Sequence, residues 1–295
     1  MKLVEKYPMI MIVIGVMGVS CSSIFVKYSE APSAVTAAFR LLWTVLLMSP
    51  VVFGKKTVRQ EFVQADRKSI ILSVVSGLFL AAHFALWFES LQHTSVASST
   101  TIVATEVIWV SLGFCLFLKG RLSGKAAAAI VLALVGSAMI ALSDSGSQAH
   151  LYGDILSLLA AIAVSVYMLI GRVVREKLST TVYTYMVYSA CAVSLVALCL
   201  VQGNGLFSFG FSPVIVGLLL AVFSTIMGHS VFNWCLKYFT PSFISTAKLC
   251  EPVVAAILAG FLFGELPKPL QLLGGAMILA GVYYYSRLER KNSNA

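Results

Sequence analysis

Charged residues in this 295-residue chain are confined to short clusters, and between the clusters run apolar stretches of about 20 residues. Only 11% of the residues are charged and 59% are hydrophobic, and the mean hydropathy is +0.92. Soluble domains carry about 25% charged residues. A stretch of that length spans about 30 Å of hydrocarbon as a helix. Peptide groups in lipid must be satisfied within the protein, and the stretches lack the alternation of barrel strands, so each is read as a helix. Ten spans are expected, near 9–28, 33–53, 69–91, 95–117, 125–143, 153–171, 182–201, 213–236, 241–262 and 269–287. The longest connector, near 54–68, leaves no room for an attached catalytic domain.

The net charge of +9 is a topology signal. If the N-terminus lies inside, the inner clusters are Lys2 and Lys6; Lys55, Lys56, Arg59, Arg67 and Lys68; Lys119, Arg121 and Lys125; Arg172, Arg175 and Lys177; Lys237; and Arg287, Arg290 and Lys291, which is 17 of the 21 basic residues. The outer connectors keep Lys27 and Lys268, while Arg40 and Lys248 fall within spans. This bias predicts that both termini are cytoplasmic. There is no basic surface domain to hold nucleic acid. The start is read as a retained first helix rather than a cleaved leader. All six cysteines (21, 115, 191, 199, 235 and 250) fall inside spans, where they read as small packing residues.

The chain also repeats itself at an offset of 145 residues: Ser20 matches Ser165, Leu91 matches Leu236, Gly136 matches Gly281, Lys27 meets Arg172, and Glu106 matches Glu251. Five spans per repeat is an odd number, so the second half enters the membrane from the opposite side. Carriers built of two inverted halves bind their cargo where the halves meet.

Residues that carry charge at mid-span are the candidates for that site. A carboxylate at the bilayer centre costs about 2.5–3.5 kcal/mol on insertion scales, and Glu106 and Glu251 are too deep to reach either surface. They are read as proton-binding or substrate-contacting groups, or else as structural hydrogen-bond partners. Lys248 shares a helical face with Glu251 at i,i+3 and is expected to pair with it, a substrate carboxylate being able to take its place. Arg40 would hold a substrate carboxylate, snorkel outward, or tie two helices together. His83 and His229 are offset by 146, one step out of repeat register, with Trp87 and Asn233 each one turn further on. Histidine titrates near neutral pH, though a buried histidine is more often a satisfied packing group. Ser20 and Ser165 would line a wet cavity or bond back to their own helices. No clustered metal-ligand spacing is present, and no Walker motif, nucleophile elbow, HExxH or GxGxxG. Neither a metal nor any other cofactor is expected.

Several segments resemble the drug/metabolite transporter superfamily in its EamA-type, ten-helix branch. They are Leu236–Ser242, Glu251-Pro252-Val253-Val254-Ala255-Ala256, Phe263-Gly264-Glu265, Gln271, Gly274 and Gly281-Val282, with Phe39-Arg40, Leu91, Thr94–Ala97 and Gly136 in the first half. The first half departs from the pattern at Val107, where proline is expected, and at Lys119-Gly120, where Gly-Glu is expected. The resemblance implies an all-α membrane protein of two inverted five-helix repeats, 9–143 and 153–287. It implies a carrier of a small polar metabolite, amino acids first and export in direction. Uptake or facilitated passage of a vitamin, nucleobase or drug-like compound is the alternative. It also implies a scaffold role for the fifth and tenth helices, with a homodimer contact as a further use. The expected partners are thus a small-molecule substrate, the lipid bilayer and a second copy, in the inner membrane. A membrane-embedded enzyme would need a polar catalytic cluster that the short loops lack, and a merely structural or sensory subunit would leave the midplane acids unexplained.

Overall fold

The computed structural model describes residues 8–26, 28–94, 96–144, 151–254, 257 and 268–293. Among these the elements are helices: α1 (Pro8–Ser20), α2 (Ser22–Val26), α3 (Ser33–Gly54), α4 (Lys56–Val63), α5 (Arg67–His93), α6 (Val96–Ala104), α7 (Glu106–Phe117), α8 (Gly124–Asp144), α9 (Leu151–Val174), α10 (Thr180–Val201), α11 (Ser212–Leu219), α12 (Val231–Cys235), α13 (Pro241–Lys248) and α14 (Pro269–Ser293). No strand occurs among the described residues. Lys27, the Phe263-Gly264-Glu265 motif and most of the expected span beyond residue 254 lie outside them.

Among the described residues six segments are long and apolar enough to cross a membrane: Ser33–Gly54, Arg67–His93, Ser99–Phe117, Leu151–Val174, Thr180–Val201 and Ser212–Cys235. Two shorter apolar helices are Pro8–Ser20 and Gly124–Ile140. Four departures from the expected spans matter for the site. The 95–117 span is broken at Thr105. The 241–262 span is broken at Leu249–Cys250. The middle of the 213–236 span, Leu220–Ser230, is a π-helix joining α11 to α12. The 54–68 connector folds into α4, whose Val58 and Phe62 pack against the bundle.

The ends of the helices follow from side chains at their caps. Asp66 caps α5, accepting the Ser69 amide at 3.1 Å and its hydroxyl at 2.6 Å. Those two bonds hold the exposed Asp66 carboxyl below its usual range. The cap is therefore intact at neutral pH and is lost only as pH falls through that lowered value. Ser179 and Thr240 cap α10 and α13 in the same way.

Helices α5 and α9 pack along their length, and α10 lies against both α3 and α5. The tightest seam joins α8 to α14. A Cβ on Gly136 would lie 2.5 Å from the Gly274 carbonyl oxygen, and one on Gly274 would lie 2.5 Å from that of Gly136. One on Gly281 would lie 2.7 Å from the Ala129 carbonyl oxygen. Position 136 facing 274 while 129 faces 281 makes the two helices antiparallel. It also mates each helix with its own repeat equivalent, since Ala129 corresponds to Gly274 and Gly136 to Gly281.

Gly136→Ala should force the α8–α14 backbones apart and destabilise the protein by about 1–3 kcal/mol, as overpacking does elsewhere. A fall in the thermal midpoint of the purified protein in detergent, matched by Gly274→Ala, checks this; an unchanged midpoint would contradict the seam.

Candidate functional site

Both mid-span acids stand directly after a break in their helix, and the breaks are equivalent under the repeat. In the first half the Thr105 amide donates to the Ile102 carbonyl at 3.0 Å. In the second half the Cys250 amide donates to the Ala247 carbonyl at 3.1 Å. These are the same bond moved by 145 residues. The causes differ. Pro252 has no N–H to offer the Lys248 carbonyl, so α13 stops there. Val107 stands where that proline would be, and the Thr105 hydroxyl instead takes the Ile102 carbonyl at 2.6 Å.

The backbone at each acid is held by a second equivalent pair. Ser165 Oγ reaches the Glu106 carbonyl at 3.1 Å and its own helix at Ala161 O, 2.7 Å. Ser20 Oγ lies 3.5 Å from the Glu251 carbonyl and donates to Val16 O at 2.7 Å. Back-bonding and contact across the seam thus occur together in each serine.

The expected Lys248–Glu251 pair does not form. Lys248 Nζ instead meets Glu106 Oε1 at 2.6 Å, with the two side chains 13% and 6% exposed. An i,i+3 pair requires an unbroken helix between its members, and the turn at Leu249–Cys250 rotates Glu251 off the lysine's face. Lys248 therefore reaches across to the other half. Glu251 lies within the electrostatic field of Lys248, Glu106 and Arg40, and its carboxylate has no hydrogen-bond partner among the described residues.

Arg40 neither snorkels nor points into open space. It is 1% exposed. Its Nε donates to Thr225 Oγ1 at 2.8 Å, and the guanidinium sits 4.4 Å from the Phe84 ring centroid, within cation–π range. Thr225 belongs to the π-helix, so α3 and the π segment are tied by a buried cation. Nothing in the sequence singled out Thr225 among the many threonines.

His83 bonds Ala160 O at 3.0 Å through Nδ1 and stacks on Trp87 with ring centroids 5.9 Å apart. His229 packs against Phe84 at 5.6 Å and Tyr167 at 6.1 Å. Both imidazoles lie within the field of Arg40 and Lys248. Asn233 donates to His229 O at 2.8 Å and to the Tyr167 hydroxyl. Two buried polar atoms beside these rings, Trp87 Nε1 and Asn233 Oδ1, have no hydrogen-bond partner among the described residues. Leaving such an atom unpaired away from water is costly. The one-residue slip from 145 to 146 at the histidines falls in the π-helix, and the 145 register is resumed beyond it at Leu91 and Leu236.

The structure therefore gathers Arg40, Glu106, Lys248 and Glu251 into one charged centre. His83, Trp87, His229 and Asn233 form an aromatic and polar wall alongside. Ser20 and Ser165 clamp the backbone at the two acids. The formal charges of the centre cancel, with two cations against two carboxylates.

Comparison with known proteins follows the same halves. The sequence pattern of the EamA-like transporter family matches residues 6–142 and again residues 151–287. A probable amino-acid metabolite efflux pump of Salmonella typhimurium is 26% identical over 286 residues, covering 92% of each chain. One of Escherichia coli is 24% identical over 290 residues, again covering 92% of each. An uncharacterized transporter of Bacillus subtilis is 24% identical over 288 residues, covering 95% of this chain and 88% of its own. A solved crystal structure superposes with a TM-score of 0.81 at 14% identity, covering 97% of this chain and 98% of that one. At that identity the likeness shows the fold alone.

Removing one member of the Glu106–Lys248 pair strands a buried charge, which costs about 3–5 kcal/mol in comparable cases. Glu106→Gln or Lys248→Met alone should lower the thermal midpoint, and the two together should restore most of it. Additive losses in the double variant would show that the two side chains do not interact.

Proposed function

The chain belongs to the EamA-like transporter family, and on that footing we propose that it is a secondary carrier which exports a small polar metabolite, an amino acid or a close relative, by alternating access coupled to protons. The reading takes the chain to be ten membrane helices in two inverted halves, 9–143 and 153–287, in the inner membrane with both termini cytoplasmic. The antiparallel α8–α14 seam and the equivalent helix breaks support inverted halves. The positive clusters support the orientation. Membrane transport, rather than enzymatic catalysis, is what the family and the relatives share. Amino-acid export is drawn from the names of two of those relatives.

One observation carries the mechanism: the Glu106–Lys248 pair spans the two halves at the point where both helices are broken. Broken helices at mid-depth expose peptide groups and end dipoles to a cargo without exposing them to lipid. Rocking one half against the other would part this pair and change which side the centre faces. A substrate carboxylate is then chemically able to take Glu106's place on Lys248. Glu251, without a donor among the described residues, is the group best placed to gain and lose a proton during that exchange.

Purified protein in proteoliposomes, given a pH gradient and a mixture of amino acids, tests this. Wild-type protein should move at least one amino acid in a gradient-dependent manner. Glu251→Gln should lower gradient-driven movement by about a hundredfold or more, the usual weight of a positioned acid–base group. Gradient-driven transport that survives both Glu106→Gln and Glu251→Gln would remove proton coupling from the reading.

A further inference from the structure

The stretch from Lys55 to Lys68, which holds α4 and the start of α5, carries five cations, Lys55, Lys56, Arg59, Arg67 and Lys68, and two acids, Glu61 and Asp66. Folding treats the two signs differently. Glu61 Oε1 accepts the Ser179 amide at 2.5 Å, fastening α4 to the start of α10. Asp66 is taken up by the α5 cap and lies 4.0 Å from Lys177. Both acids are thus engaged by the protein itself. All five cations are exposed, and none is in an ion pair among the described residues.

Helix stability does not account for these cations. Lys55 and Lys56 stand at the start of α4, and Arg67 and Lys68 in the first turn of α5. The positive end of the helix dipole disfavours basic groups at those places. Apolar groups flank them: Val63 is 76% exposed and Phe53 47%. The opposite face of α4 is fixed, with the Phe62 ring 6.0 Å from Phe53 and 5.8 Å from Tyr185. A short, anchored helix that presents cations beside exposed apolar side chains matches the chemistry of an anionic membrane surface.

We infer that Lys55, Lys56 and Arg59 of this segment, with Arg67 and Lys68 beside them, form a docking surface for the headgroups of anionic phospholipids in the leaflet on that face. The partner is a lipid phosphate held in a membrane, where Phe53 and Val63 contact the acyl boundary. This goes beyond the transport reading, because lipid retention can be measured without any cargo.

The test uses full-length protein in nanodiscs made from equal parts phosphatidylglycerol and phosphatidylcholine, with the lipids retained after detergent extraction counted by native mass spectrometry. The wild type should retain phosphatidylglycerol over phosphatidylcholine by about threefold or more, since each basic group near an anionic surface contributes appreciably. The variant Lys55→Gln/Lys56→Gln/Arg59→Gln should fall to near parity. The control Lys119→Gln/Arg121→Gln/Lys125→Gln removes the same charge elsewhere and should keep the preference. Independently of any variant, the wild-type preference should fade in about 0.5 M NaCl, where charge is screened within a few ångströms. No preference in the wild type, an equal loss in the control, or a preference indifferent to salt would each overturn the assignment.

Discussion

A peptide group surrounded by hydrocarbon has to find its hydrogen bond inside the protein, and the chain is arranged around the few places where it does not find it within its own helix. Among the described residues two such places lie at mid-span, after Ala104 and after Lys248. Each is bridged by one tight backbone bond and one serine from a neighbouring helix. The charged side chains collect at the same two points. That is where the helices offer unfilled carbonyls and amides, and where protein rather than lipid surrounds them. The ion pair follows from placing both breaks against each other, while the buried arginine and the two histidines are held by the π segment and α9 beside it.

The sequence makes the long apolar segments legible because their only requirement is length and the exclusion of charge. Glu106, Glu251, Lys248 and Arg40 are legible for the converse reason, as expensive exceptions within those segments. Their partners are a different matter. Lys248 and Glu251 share a face only on an unbroken helix, and the break depends on the missing N–H of Pro252, four residues beyond the lysine. In the first half no proline marks the break, and Thr105 performs the same task with a hydroxyl that looks like any other. Arg40's partner was out of reach for a similar reason: Thr225 is brought to it by tertiary packing, which local pattern does not encode.

The histidine register is an intermediate case. An offset of 146 among offsets of 145 is visible in the sequence, yet by itself it reads as noise in an old repeat. It coincides with the π-helix at Leu220–Ser230, a local change of winding after which the 145 register returns at Leu236. The widened stretch is also the one that Arg40 holds through Thr225 and that carries His229. Local irregularity, the partner of a buried charge and a titratable side chain therefore coincide on one helix, while its counterpart, α5, remains regular. The two halves are equivalent in framework and unequal in chemistry.

The seam between α8 and α14 has a consequence for how such a molecule can be assembled. Each helix presents to the other the same surface that it receives, so the joint is isologous in the way of a two-fold dimer, although it lies within one chain. Either half on its own would carry a glycine-lined strip with nothing to cover it. Its natural mate would be a copy of the same strip running antiparallel to it. Joining the two in a single polypeptide secures the pairing and frees the two copies to diverge. Lys248 has a mate in Val103, a cation opposite a hydrocarbon. A pair of identical subunits could not have made that distinction.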